Sequence, residues 1–183
     1  MSEDTSVETS EAGAYQPKLL PILKWPDDER LHEKSVDVTV FDADLECLAR
    51  DLFHTMECSK GVGLAAPQTG NMINMITVRL EIDRPLCFVN PVILDTSEEL
   101  FEFNEGCLSV PGYFEDRKRP KKIVVRFQDL KGVQHELELH DLYAFCVQHE
   151  IDHLNGKVFV DGASMLKRSR IKNRMKKVAR QKV

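Results

Sequence analysis

Apolar residues recur at helical spacing at Phe41, Leu45, Leu48, Leu52 and Met56. This stripe predicts a first helix from about Asp42 to Glu57, with Asp42 and Asp44 suited to the positive end of its first turn. Shorter apolar runs at Ile73–Val78 and Leu86–Leu94 predict strands. Pro91 pushes the second of these toward an edge or a bulge, because proline has no N–H to give a ladder. Lys122–Phe127 and Val133–Leu139 flank the turn residues Asp129-Leu130-Lys131-Gly132 and predict a hairpin. A helix is predicted from Asp141 to Leu154, stopped by Asn155-Gly156. Its first half (Leu142, Ala144, Phe145, Cys146, Val147) is apolar nearly all round, the pattern of a helix buried at a domain's centre. Ile171, Met175 and Val178 give a C-terminal helix a short docking stripe. Strands followed by a buried helix, with no internal repeat, predict one domain of the α+β class.

Composition narrows the class. Of 183 residues, 42% are hydrophobic and 30% charged, which suits one globular domain with a substantial core. No apolar run approaches membrane-spanning length, and the first residues lack the basic-then-apolar order of a secretory signal. The acidic residues Glu3, Asp4, Glu8 and Glu11 argue against an organelle transit peptide, so a cytoplasmic protein without membrane contact is expected. Residues 1–15 read as a disordered acidic tail ahead of a single folded domain at 16–183. The five cysteines are scattered and odd in number, which argues against a disulfide framework.

Charge is unevenly placed. Residues 164–183 hold nine Lys or Arg and no acid, leaving 16 basic against 30 acidic groups elsewhere. Such an arm suits a solvated helix docked by its apolar stripe, or a contact with RNA phosphates.

The candidate chemistry centres on His149-Glu150-Ile151-Asp152-His153. Residues four apart on a helix share a face, so both imidazoles can reach one metal ion while Glu150 projects toward its open position. A metal there lowers the pKa of a bound water, whose proton a carboxylate can accept. Known arrangements with a third ligand further along are missing, since Phe159 stands where one protease family has histidine and no glutamate follows His153. The third ligand therefore lies upstream, unless Asp161 serves. The soft candidates are Cys47, Cys58, Cys87, Cys107 and Cys146. Cys146 lies seven residues before His153, roughly 10 Å along the same helix, too far to share an ion. Cys107 stands in Glu105-Gly106-Cys107-Leu108-Ser109-Val110-Pro111-Gly112, whose glycines and proline argue against a helix. It suits a thiolate ligand, and a cysteine nucleophile is the competing reading. A third segment, Gly61-Val62-Gly63-Leu64-Ala65-Ala66-Pro67-Gln68, reads as a glycine-rich turn before a strand. Its glycines also allow close approach of another chain, and Gln68 is an amide donor suited to a developing oxyanion.

Together the three segments resemble peptide deformylase, whose G-φ-G-φ-A-A-x-Q, E-G-C-φ-S and Q-H-E-x-D-H motifs occur here in order as Gly61–Gln68, Glu105–Ser109 and Gln148–His153. The resemblance runs from about Pro21 to the C-terminus. It implies a metal-dependent hydrolase that removes the formyl group from the N-terminal formylmethionine of nascent polypeptides, built from sheets around a central metal-binding helix. It implies that Cys107, His149 and His153 hold one divalent ion, Fe(II) by family habit, although sulfur and two nitrogens equally suit zinc, and nickel or cobalt could take the site. Glu150 is then the general base, with the Gln68 amide and Leu108 N–H on the oxyanion. The peptide would lie beside Gly63 and Gly106, and Val62, Leu142, Phe145 and Cys146 would wall the methionine pocket. The basic C-terminal helix would contact the ribosome rather than DNA.

One position departs from the pattern. Several bacterial members carry an arginine where this chain has Phe114, and Arg117, Lys118 and Arg119 nearby either substitute for it or are solvated. Two other classes remain compatible with the residues: a zinc peptidase using the same His-Glu-x-x-His chemistry, and a non-catalytic RNA-binding or structural-metal protein.

Overall fold

A five-stranded antiparallel sheet in the order β1 (Gly63–Ala65), β2 (Met75–Val78), β3 (Leu86–Thr96), β6 (Lys122–Gln128) and β7 (Gln134–His140) carries a helix on each face, and a separate two-stranded ribbon of β4 (Leu100–Gly106) and β5 (Phe114–Pro120) closes over one of those helices. The computed structural model describes residues 15–79, 81 and 86–180. The expected tail at 1–14 lies outside them. Tyr15, placed in that tail by the expected boundary, donates its hydroxyl to Asp51 at 2.8 Å.

The first helix, α1 (Ala43–Cys58), begins where the sequence predicts. Asp42 caps it by accepting from the N–H groups of Asp44 and Leu45, both at 3.1 Å. Leu45, Ala49, Leu52 and Met56 form its buried stripe. They meet Leu64 of β1 (Gly63–Ala65), Met75 of β2 (Met75–Val78) and Val89 of β3 (Leu86–Thr96). The alternate residues Ala65, Ile76, Val78 and Phe88 point to the opposite face, following the two-residue repeat of a strand. There they meet α2 (Asp141–Leu154) through Ala144, Val147 and Leu154. The predicted bounds of this helix hold, and Gly156 follows it with φ +68°.

β3 lies in the middle of the sheet, so Pro91 marks a bulge and not an edge. The register with β6 (Lys122–Gln128) shifts between Val89 and Val92, which takes Pro91 out of the ladder. Asn90, at φ +52°, holds the bulge by accepting from Val38 N and donating to Val38 O, both at 2.8 Å. The hairpin of β6 and β7 (Gln134–His140) forms around the predicted turn.

The ribbon of β4 (Leu100–Gly106) and β5 (Phe114–Pro120) has no counterpart in the predicted elements. Its strands are rich in charge and hide their apolar periodicity, and cross-strand pairs such as Glu102–Lys118, at 3.2 Å, fit the pairing seen. Phe101 and Phe103 pack their rings on Phe145 of α2, with centroids 6.2 and 5.5 Å away. α2 is thus enclosed between two sheets.

α3 (Met165–Arg180) docks by the predicted stripe. Ile171 is fully buried among Trp25, Leu31, Val110 and Phe159, with Met175 beside them. Among the described residues no helix is long and apolar enough to cross a membrane.

Because Ile171 fills the joint between α3 and the body, Ile171→Ala should cost about 2–5 kcal/mol. The urea midpoint of the metal-loaded protein measures this, and a loss well under 1 kcal/mol would mean that α3 is not anchored there.

Candidate active site

Three distant segments converge at the inner face of α2. His149 and His153 lie one turn apart with ring centroids 4.9 Å apart and planes nearly perpendicular. Cys107 sits in the turn that follows β4, where the glycines and proline keep the chain out of regular structure. Its Sγ lies 3.2 Å from His153 Nε2. The sulfur and one nitrogen from each ring all fall within 4.8 Å of one another. Ligands around a four-coordinate ion stand about 3.5 Å apart, so this donor set fits one such cation. Asp161 is not among these residues; it accepts instead from Val158 N at 2.6 Å. Cys146 also stands outside the cluster, and burial pushes its thiol up to about 12.

A chain of buried charges orients His149. Glu105, 2% exposed, is hydrogen-bonded to His149 Nδ1 and accepts from Arg119 Nη2 at 2.9 Å. Arg119 also donates to Asp152 Oδ2 at 2.8 Å. A carboxylate on Nδ1–H fixes the tautomer that leaves Nε2 free as a ligand. Burial works against ionisation of Glu105, but the bonds from His149 and Arg119 outweigh it and hold the carboxyl at about 2. Burial likewise disfavours the charged form of His149, yet its contacts with Cys107 and Glu105 raise its proton affinity well above the ordinary histidine value. A cation held by this ring would have to compete with a proton. Burial, helped by the neighbouring His149, lowers His153 well below the ordinary value and keeps it neutral. Arg119 is thus neither solvated nor a substitute for the missing arginine, because its guanidinium is turned inward with 11% of the side chain exposed.

Glu150 is 4% exposed, and its Oε2 has no hydrogen-bond partner among the described residues. Burial pushes its carboxyl up to about 7. Gly63 of β1 lies against it, and a Cβ there would collide with Glu150 Oε1. The Gln68 side chain accepts from Ala65 N at 2.8 Å, which turns its NH2 group toward Ser109 Oγ at 3.1 Å and Cys107 Sγ at 3.4 Å.

Of these groups, Gly63, Gln68, Glu105, Cys107, His149 and Glu150 line a cavity of about 750 Å³, and His153 is not among its lining residues. Val62, Gly63, Gln68 and Glu150 form one side of its lining, with Gly106, Cys107 and Leu108 from the β4–β5 turn. Phe145, Cys146 and His149 come from α2. Leu142 is not among the lining residues; it packs against the sheet core one turn nearer the start of α2. Sequence reasoning did not assign Phe103, Pro111 or Val178 to this cavity, because the elements that bring them there were unpredicted or distant. Nor did it assign a role to Glu105, and for Arg119 it offered only substitution for the absent arginine or solvation. Glu105 stood inside a recognised motif, but Arg119 looked like one of three adjacent surface cations.

Residues 19–169 match the profile of the family described as polypeptide deformylase. The chain belongs to the peptide deformylase family. Peptide deformylase 1 of Shewanella oneidensis is 44% identical over 165 residues, covering 89% of this chain and 97% of that protein. The peptide deformylase of Cellvibrio japonicus is 45% identical over 161 residues, covering 87% and 95%. The crystal structure of a peptide deformylase from Legionella pneumophila has a TM-score of 0.84 at 40% identity, over 90% of this chain and 98% of that one. The protein is a metal-dependent hydrolase that removes the formyl group from N-terminal formylmethionine. These matches also settle the choice among classes left by the residues, in favour of the deformylase over the peptidase and the non-catalytic protein.

The low pKa of Glu105 has a stability consequence. Its folded value of about 2 lies below the ordinary 4.5, so the unfolded chain binds this proton more tightly. The stabilisation is complete above about pH 4.5 and is lost as pH falls toward 2. In metal-stripped protein, the gap in urea midpoint between wild type and Glu105→Gln should be widest near neutral pH and shrink across that window. A gap independent of pH would contradict an ionised Glu105 in the fold.

Proposed function

We propose that Cys107, His149 and His153 hold the deformylase's single divalent cation, that Glu150 is its general base, and that Gln68 and the Leu108 N–H stabilise the oxyanion. The observation that carries this reading is a buried carboxylate with one unpartnered oxygen that lines a large cavity together with Cys107 and His149, the thiol and two imidazoles of the Cys107–His149–His153 cluster lying close together. Fe(II) is the expected ion by family habit, with zinc, nickel and cobalt as alternatives for the same donors. When bound, the ion supplies Lewis-acid polarisation and a water of lowered pKa.

The protein's own groups do the rest. Glu150 accepts the proton of the attacking water and delivers it to the leaving amine nitrogen. A carboxyl near 7 in a buried site is poised for both transfers at neutral pH, and a cation beside it would favour the ionised form. The Gln68 NH2 and the Leu108 N–H donate to the oxygen that gains charge. The C–N bond breaks, giving formate and a free N-terminal methionine. Among the described residues β1 is an edge strand of the large sheet and β4 pairs with β5 alone, so both Gly63 and Gly106 border strand edges to which a peptide can add. Val62, Phe145 and Cys146 then face the methionine side chain, with Phe103 beside them. Leu142 supports that wall from behind.

Glu150→Ala should retain the metal by elemental analysis and lose about 100-fold or more in turnover of formyl-Met-Ala. Wild type should release formate from that peptide and leave acetyl-Met-Ala intact, since a formyl carbon bears only hydrogen and needs no further room. Unchanged turnover in the variant would sink the role given to Glu150.

α3 also supports a contact with ribosomal RNA near the nascent chain, in the cytoplasm. With Ile171 buried, Arg170, Lys172, Lys176, Lys177 and Arg180 remain exposed on the outward side. Replacing these five with glutamine should weaken ribosome co-sedimentation at low salt roughly tenfold and spare turnover of formyl-Met-Ala. Equal co-sedimentation would remove the ribosome from this account.

A further inference from the structure

Phe114 is the first residue of β5 and pairs across the ribbon with Gly106. Its ring lies over that glycine, so that a Cβ there would come within 2.5 Å of the ring's Cε1. The residue is nonetheless 60% exposed. Phe114 lines the same cavity as Cys107 and Glu150. Two other large apolar residues of that cavity, Val62 and Phe103, are 47% and 41% exposed. Val62 is a wall of the candidate methionine pocket and Phe103 lies beside it, and Phe114 adds a further apolar surface to the same cavity.

The opposite side of this outer surface comes from α3. Val178 lines the cavity and packs a methyl against Gly112, where a Cβ would collide with it. Gly112 has φ +78°, and Arg174 Nε donates to its carbonyl at 3.1 Å. Lys167 pairs with Glu115, next to Phe114, at 2.5 Å. The C-terminal helix is thereby fastened to the segment that carries Cys107 and Phe114, with one branched apolar side chain turned into the cleft.

We propose that Phe114 and Val178 form an apolar shelf that receives the side chain of one of the two residues following the formylmethionine, so that this deformylase favours apolar over polar residues there. The occupant follows from continuity with the cleft. A peptide added beside Gly106 advances about 3.3 Å per residue, so the Phe114 ring lies within two residues of the methionine. A strand's side chains alternate in direction, so one of those two faces the shelf. The proposal rests on the strand-addition reading above. It also gives α3 a part in substrate selection separate from any contact made by its charged outer face.

The test is kcat/KM on formyl-Met-X-Ala and formyl-Met-Ala-X amides, with X as Leu, Phe or Ser, using the full-length metal-loaded enzyme. Wild type should prefer Leu and Phe over Ser by about five- to tenfold at one of the two positions, mainly through KM. Phe114→Ser should bring that ratio toward one, and Phe114→Leu should keep most of it. No preference at either position, or a preference that survives Phe114→Ser, overturns the shelf. Wild-type turnover of formyl-Met-Ala that is not improved by any further residue would instead overturn the strand-addition reading beneath it.

Discussion

The run of charges Asp152–Arg119–Glu105–His149, buried from Arg119 inward, is the constraint from which the site follows. Taking Arg119, Glu105 and His149 out of water is costly, and each is tolerated here because a partner in the run satisfies it, the half-buried Asp152 completing the run at its outer end. The run bridges α2, β5 and β4, so the ribbon can meet the helix in one register. Cys107 stands two residues beyond Glu105 in the chain. Once Glu105 is bonded to His149, the thiol is delivered to the imidazole pair, and the turn after β4 becomes a wall of the cleft.

Enclosing α2 between two sheets gives its inner face a dry environment. There the two imidazoles diverge in proton affinity: the one beside Glu105 and Cys107 is raised, and the one without a carboxylate partner is lowered. The same burial raises the Glu150 carboxyl to about 7, the range that the general-base role proposed for it requires. Gly63 is necessary to this arrangement, since β1 can lie against the carboxylate only without a side chain at that position.

α3 connects this centre to the surface. Its apolar stripe completes the third core cluster, and its final turns reach the lip of the cleft. One element thus carries a buried anchor in Ile171, a cleft residue in Val178 and a cationic outer face. Its last residues extend past the stretch that matches the family profile, which ends at 169. Properties of this helix therefore have to be read from its own residues.

Much of this was legible in the chain itself. α1, α2, the β6–β7 hairpin and the docking stripe of α3 were readable because each has a local signal: a helical period, a capping residue or a turn. The imidazole pair and Glu150 were readable for the same reason, as helix geometry alone puts residues four apart on one face. The β4–β5 ribbon was not, because its strands are charged and are specified by pairing partners and by α2, not by their own pattern. Arg119 was indistinguishable from its neighbours Arg117 and Lys118 until β5 turned it inward. Leu142 shares a helical face with Phe145 and Cys146, and only the packing of the sheet separates it from the cleft. Local periodicity thus determined the helices and the His-Glu-x-x-His face. Long-range pairing decided which thiol joins it, which charges are buried and what lines the cleft, because those depend on contacts between residues far apart in the chain.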